Sequence, residues 1–233
     1  MSRSYTRDDL ENMINNASKE IATFYQQPFI NYRGRTADTG EYYTEIIAEW
    51  CCNNIQLLES IQTIPRERPY RVETHDGIPP TSDSPREEEL IAMKMFRQRG
   101  VPGIGGILDY QTPLKAEQGD KAGKIDLLAY DGKTLRILEL KKPASEETML
   151  RCVLEGYTYL KTVDTKKLLK DFKLPVDTVV VACPFVFAYE KSNPYQEMQE
   201  DRPQLKKLMQ LLNSRPYYIY ENEDRFDVVI GQA

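Results

Sequence analysis

The stretch GKIDLLAYDGKTLRILELKKP, residues 123 to 143, constrains the fold more than any other part of the chain. Two apolar runs of strand length bracket Asp131-Gly132, a pair that favours a tight hairpin turn. A two-residue turn there places Tyr130 opposite Lys133 and Asp126 opposite Ile137. Side chains alternate along a strand, so Ile137, Glu139 and Lys141 share one face, and the pairing puts Asp126 on that face too. Asp126 and Glu139 then stand as diagonal neighbours, roughly 7 Å apart at Cβ, a span that one bound cation bridges.

Three charges at the end of an apolar strand pair call for a reason. LRILEL reads as a strand covered on both faces, and two carboxylates buried side by side are costly because each raises the other's pKa. A divalent cation removes that conflict, with Lys141 balancing the remaining charge. The plainer alternative is a Glu-x-Lys pair on a solvated strand.

Composition narrows the chemistry. Of 233 residues, 4 are cysteines with no CxxC pair and His75 is the single histidine, which leaves little material for zinc fingers or for Ser-His and Cys-His catalysis. A metal site here has to use carboxylates, which suit hard ions such as Mg²⁺ or Mn²⁺. The net charge of -5 argues against nonspecific coating of nucleic acid. The Lys-rich segment 161–173, with five lysines against two aspartates, reads as a solvated helix face or a local basic face. No apolar run reaches the length of a membrane span and the start is polar, so the expectation is a cytoplasmic protein without a membrane partner.

Along the chain, residues 1–83 read as an N-terminal helical extension and linker, and 84–233 as an α/β domain. Thr6 is the candidate N-cap of a first helix (6–25), and a second helical pattern runs over 39–61 through Ile46, Ile47, Trp50, Ile55 and Leu58. The linker, 65–85, holds one strand-like piece, YRVET, and an exposed His75. Then follow a helix over 84–99, strands near 105–114, 124–130 and 134–141, a helix over 146–162, a short Lys-rich helix, the strand DTVVVAC, a helix over 202–214 and a terminal hairpin. The glycines of GVPGIGG fit neither a P-loop nor a dinucleotide fingerprint, adjacent Cys51 and Cys52 read as reduced thiols in a helix, and the tyrosines at 217, 218 and 220 read as packing in a strand.

Further oxygen ligands would come from the helix just upstream, SPREEELIAMKMFRQRG. Ser84, Pro85 and Glu87 fit a capping box with Pro at the first helical position. Glu88 and Glu89 fall inside the apolar arc of Ile91, Ala92, Met93, Met95 and Phe96, where an unpartnered carboxylate is unfavourable. The helix dipole offers the competing explanation for acids in a first turn.

EELIAMKMFRQRG followed by GKIDLLAYDGKTLRILELKKP resembles the PD-(D/E)XK nuclease superfamily, and most closely its resolvase-like branch, in which a GEID strand precedes a VEVK strand. The resemblance spans about residues 84 to 183 and implies a restriction-endonuclease-like core: helix, three-stranded meander, helix, further strand. It makes Asp126 the motif's aspartate, Glu139 its second acid, Lys141 its lysine and the carbonyl of Leu140 a metal ligand. Glu89, ahead of Ala92, Met93 and Gly100, matches the helix acid better than Glu88. Glu155 and Tyr159 stand where many members carry Gln and Tyr, on a polar stripe with Arg151, and Ile125 stands where a proline is usual. The implied activity is phosphodiester hydrolysis in DNA with Mg²⁺ or Mn²⁺ held by Glu89, Asp126 and Glu139. Lys141 would orient or deprotonate the attacking water. Two alternatives remain open: a catalytically inactive binding module on the nuclease fold, and a hydrolase of small phosphate esters.

Overall fold

A computed structural model describes residues 4–79, 86–114, 123–223 and 225–232. The strands are β1 (Gly100–Val101), β2 (Gly105–Pro113), β3 (Lys124–Tyr130), β4 (Thr134–Lys141), β5 (Val179–Phe187), β6 (Tyr217–Asn222) and β7 (Arg225–Ile230). The helices are α1 (Arg7–Ala17), α2 (Tyr43–Asn53), α3 (Ile55–Glu59), α4 (Glu87–Gln98), α5 (Met149–Thr162), α6 (Thr165–Asp171), α7 (Asn193–Gln199) and α8 (Pro203–Leu211). All seven strands form one mixed sheet in chain order. The pairs β4/β5 and β5/β6 are parallel and the rest antiparallel.

Helices cover both faces because both faces are apolar. On one side Leu128, Leu135 and Ile137 meet Met149, Leu150, Val153 and Leu154 of α5 in a core that also takes in Leu10, Ile14, Phe24, Ile47 and Leu208. On the other, Leu127, Leu138, Leu140 and Phe185 meet Ala92, Met93 and Met95 of α4. Each fully buried aliphatic side chain of this kind contributes about 1.5–3 kcal/mol. The N-terminal segment is thus packed into the larger core, and Thr44 Oγ1 of α2 donates to Glu197 of α7 at 2.6 Å.

The strand bounds 124–130 and 134–141 are those the alternation predicts, but the hairpin register is not. Tyr130 pairs with Leu135 and Leu128 with Ile137, which corrects the Tyr130–Lys133 and Asp126–Ile137 pairings. The connection is wider than two residues because Asp131 Oδ1 accepts from the N–H groups of both Lys133 and Thr134, while its Oδ2 binds Arg136 at 2.6 Å. Those bonds hold the Asp131 carboxyl down at about 2 although partial burial pushes the other way. The slip is two residues, so every side chain keeps its predicted face.

Other expectations also change. Thr6 does cap α1, in a capping box with Asp9, but regular α-helix stops at Ala17 and a 3-10 segment, Ser18–Gln26, follows with non-helical angles at Glu20. YRVET is no strand: Tyr70 N–H goes to Asp171 Oδ2 at 2.8 Å and Val72 N–H toward Asp109 Oδ2 at 3.4 Å, so its donors are taken by side chains rather than by a sheet edge. His75 is half-buried rather than exposed, and contacts Asp109. Ser84 and Pro85 lie outside the described residues, and α4 begins after Arg86 without a side-chain cap. Among the described residues no helix is long and apolar enough to cross a membrane.

Candidate active site

Continuing the β3–β4 register by one residue past Leu127 and Leu138 sets Asp126 directly opposite Glu139. There the backbone ladder gives way to a side chain: Asp126 Oδ2 accepts the Leu140 N–H at 3.0 Å. In an antiparallel strand the N–H and carbonyl of one residue face the same neighbour, so the Leu140 carbonyl is directed toward Asp126 as well. The other carboxylate oxygen, Oδ1, accepts from Gln111 Nε2 at 2.9 Å. Gln111 sits in the left-handed region (φ 48) in the middle of β2, a conformation that costs a non-glycine residue about 1–3 kcal/mol.

Lys141 shares the face of Glu139, and both are nearly buried, at 5% and 4% exposure. Its Nζ donates to Glu139 Oε1 at 2.8 Å and to Glu155 Oε2 at 3.3 Å. It also lies 2.7 Å from Glu147 Oε2, a charge contact rather than an aligned hydrogen bond. The α5 stripe converges on the same point: Arg151 Nε donates to Glu155 Oε2 at 3.2 Å, and the Tyr159 hydroxyl donates to Glu155 Oε1 at 3.0 Å. Gly123 permits this, since a Cβ there would collide with the Tyr159 hydroxyl. From the N-terminal segment, the Tyr25 ring lies 5.1 Å under the Arg151 guanidinium and edge-on to Tyr159.

These groups face a cavity of about 480 Å³ at the end of the sheet. Glu88 and Glu89 enter it from the first turn of α4, with Arg86 beside them, and Lys124 from β3. Glu88 approaches the strands most directly, accepting the Lys142 N–H at 3.3 Å. The cavity therefore gathers all of Glu88, Glu89, Asp126, Glu139, Lys141, Arg151, Glu155 and Tyr159. Gln111, Glu147, Arg86 and Lys124 join them without a sequence signal that would have found them; the positive φ of Gln111 and the loop position of Glu147 leave no periodic trace.

Six carboxylates meet four cationic side chains here, an acidic excess of two. Burial pushes the Asp126 carboxyl up to about 7, with Glu88 and Glu155 adding to the rise and Lys141 and the Leu140 N–H opposing it. Burial and the Glu155 charge likewise raise Glu139 well above the ordinary range. Burial alone would lower Lys141, but Glu139 and Glu155 hold it well above its usual value, so the ammonium stays charged. Glu155 runs against its own burial and is lowered, because Lys141 and Arg151 both face it. The arrangement leaves Glu155 ionised and concentrates the strain on Asp126 and Glu139.

Among the described residues no three Asp, Glu, His or Cys side chains are clustered tightly enough to hold a metal ion by themselves. The chemistry of the donor set is nevertheless that which a hard divalent cation takes, with the opposed carboxylates Asp126 and Glu139 and four further acids lining one cavity whose formal excess charge is minus two. No protein-family model, no curated protein and no solved structure matches this chain.

Proposed function

We propose that the protein is a metal-dependent nuclease that hydrolyses phosphodiester bonds, in DNA, on a restriction-endonuclease-like core. The observation that carries the reading is Asp126 opposite Glu139 at the mouth of β3 and β4, with Lys141 on the same face. With the two-residue β1 and the short α6 set aside, the element order α4, β2, β3, β4, α5, β5 supports it, being that of the PD-(D/E)XK proteins which the motif resembles.

Asp126, Glu139 and the Leu140 carbonyl, with Glu88 or Glu89, would hold Mg²⁺ or Mn²⁺, which when bound supplies Lewis acidity and a water acidic enough to ionise near neutral pH. Gln111 and the Leu140 N–H fix the Asp126 carboxylate from two sides, so its orientation is set before any ligand arrives. The Lys141 ammonium, held by Glu139 and Glu155, offers a fixed positive charge to the phosphate that gains negative charge during hydrolysis. Arg86, Lys124 and Arg151 at the cavity wall are placed to neutralise neighbouring phosphates.

A second reading, an inactive binding module, is favoured by one observation: Lys141 already faces three carboxylates, so its charge is largely answered within the protein. Cleavage of plasmid and single-stranded DNA with Mg²⁺ or Mn²⁺ separates the two. Cleavage by the wild type that falls about 10³-fold in Lys141→Ala supports the nuclease. DNA binding without cleavage by either protein supports the module. Turnover of a small phosphate ester that ignores salt would instead displace both, because attack on a long polyanion weakens steeply as salt rises.

A further inference from the structure

A second cavity, of about 580 Å³, opens where the segment around His75 crosses the last turn of α4. Its charge is the reverse of the first. Arg71, His75, Arg97 and Arg99 line it, and Asp76 is the single acid among the lining residues.

His75 is anchored there. Asp109 on β2 is 2% exposed, and its Oδ1 receives His75 Nδ1 at 2.5 Å while also accepting the Tyr110 N–H at 2.9 Å. The imidazole stacks on the Tyr110 ring with 4.2 Å between centroids. Because a carboxylate only accepts, Nδ1 is the donor, and Nε2 is left without a partner among the described residues. Gly77 (φ +75) lets the segment close onto the helix; a Cβ there would lie 2.7 Å from Arg97 Cγ and 3.0 Å from the Met93 carbonyl. Asp76 is occupied with the Ile78 N–H at 2.8 Å, and Arg71 meets exposed Glu73 at 3.5 Å. Arg97 and Arg99 have no side-chain partner among the described residues. A helix dipole accounts for one cation in the last turn of α4, but not for three guanidinium groups and an anchored imidazole around one cavity.

The two cavities lie at opposite ends of one helix face. Arg86, Leu90, Lys94 and Arg97 follow one another at intervals of a helical turn, with Arg86 in the acidic cavity and Arg97 in the basic one. That stripe spans about 16 Å at 1.5 Å per residue, and strand phosphates advance about 3.4 Å per nucleotide along a duplex axis.

We propose that the His75 cavity is a phosphate-binding site, which seats a backbone phosphate of the DNA strand about five nucleotides from the bond held at Asp126 and Glu139. The proposal rests on the nuclease reading for its strand, though not for its phosphate. Planar guanidinium groups bind phosphate oxygens in pairs, and the imidazolium form of His75, held through Nδ1 by Asp109, adds Nε2–H as a further donor.

His75 is the chain's only histidine, so the side-chain nitrogen resonances of ¹⁵N-histidine-labelled full-length protein report this cavity and nothing else. Titration with inorganic phosphate, and separately with a twelve-nucleotide single strand in metal-free buffer, is expected to shift both resonances in wild type and neither in Arg97→Gln/Arg99→Gln. Those arginines are exposed, so the variant keeps its core, and Arg71→Gln alone should give an intermediate result. The double variant should bind the oligonucleotide about tenfold more weakly, with a salt slope shallower by about 0.7 for one lost phosphate contact. An unmoved His75 together with unchanged affinity and slope overturns the proposal, even where DNA is cleaved and Lys141→Ala is inactive. His75 shifts with no cleavage keep the phosphate site and sink the nuclease. A response to inorganic phosphate but not to the strand overturns the strand assignment in favour of a small phosphate ligand.

Discussion

Two buried polar clusters flank α5, each with carboxylate at its centre, and they are built on opposite principles. Glu197, from α7, is 5% exposed and accepts from Thr44 Oγ1 at 2.6 Å and from the Met149 N–H, at the start of α5, at 2.7 Å; Arg202 stands 3.6 Å away. Burial raises its carboxyl, yet that single acid has two donors and a cation facing it. The cluster at Asp126, Glu139 and Glu155 has more acid than base and opens to a cavity. Burial of a carboxylate is therefore not what marks a site. The mark is unbalanced charge held against accessible space, an arrangement that lowers stability and persists where a ligand completes it.

The strongest way to break this comparison is to remove one charged side chain from each cluster. Glu197→Ala strands two buried donors and leaves Arg202 with Glu200 as its remaining acid partner, and should cost about 3 kcal/mol in urea unfolding while leaving cleavage by the folded fraction intact. If Lys141→Ala destabilises the chain as much as it reduces cleavage, the two clusters are alike and the contrast fails.

A pH series sharpens it. Asp126 takes up its proton near pH 7 in the folded chain against an ordinary 3.8, so between those values the folded state binds more protons than the unfolded one. Stability in metal-free buffer should then fall as pH rises from about 4 through 7, and Asp126→Asn should make that part of the profile shallower, leaving the share that the raised Glu139 carboxyl contributes. A profile unchanged by Asp126→Asn would show that the carboxyl titrates normally.

The smallest expected effect comes from Gln111→Gly, which relieves the left-handed backbone but removes one bond to Asp126. Stability should stay within about 1 kcal/mol, and cleavage should fall about tenfold as Asp126 loses its orientation. Unaltered cleavage would make Gln111 a turn residue only.

Much of this arrangement was legible in residues 123–143 because alternation carries it. The strand bounds, the shared face of Asp126, Glu139 and Lys141, and the helix acids of 88–89 all follow from periods of 2 and 3.6. The turn was misread, since Asp131-Gly132 favours a two-residue loop and nothing local reveals that Arg136 will compete for the Asp131 carboxylate. Parity survived that error, which changed the relation of Asp126 and Glu139 from diagonal to directly opposite.

By itself, then, the sequence determined the order of the longer helices and strands from α4 to β7, without β1 and α7, and which charges share a strand face, because those depend on neighbours a few residues apart. The tertiary structure decided the rest. Gln111 reaching Asp126, Glu155 and Glu147 enclosing Lys141, and Asp109 anchoring His75 each join different elements through side chains whose meeting is set by sheet pairing and helix packing. No local period encodes such contacts, and the chemistry of both cavities depends on them.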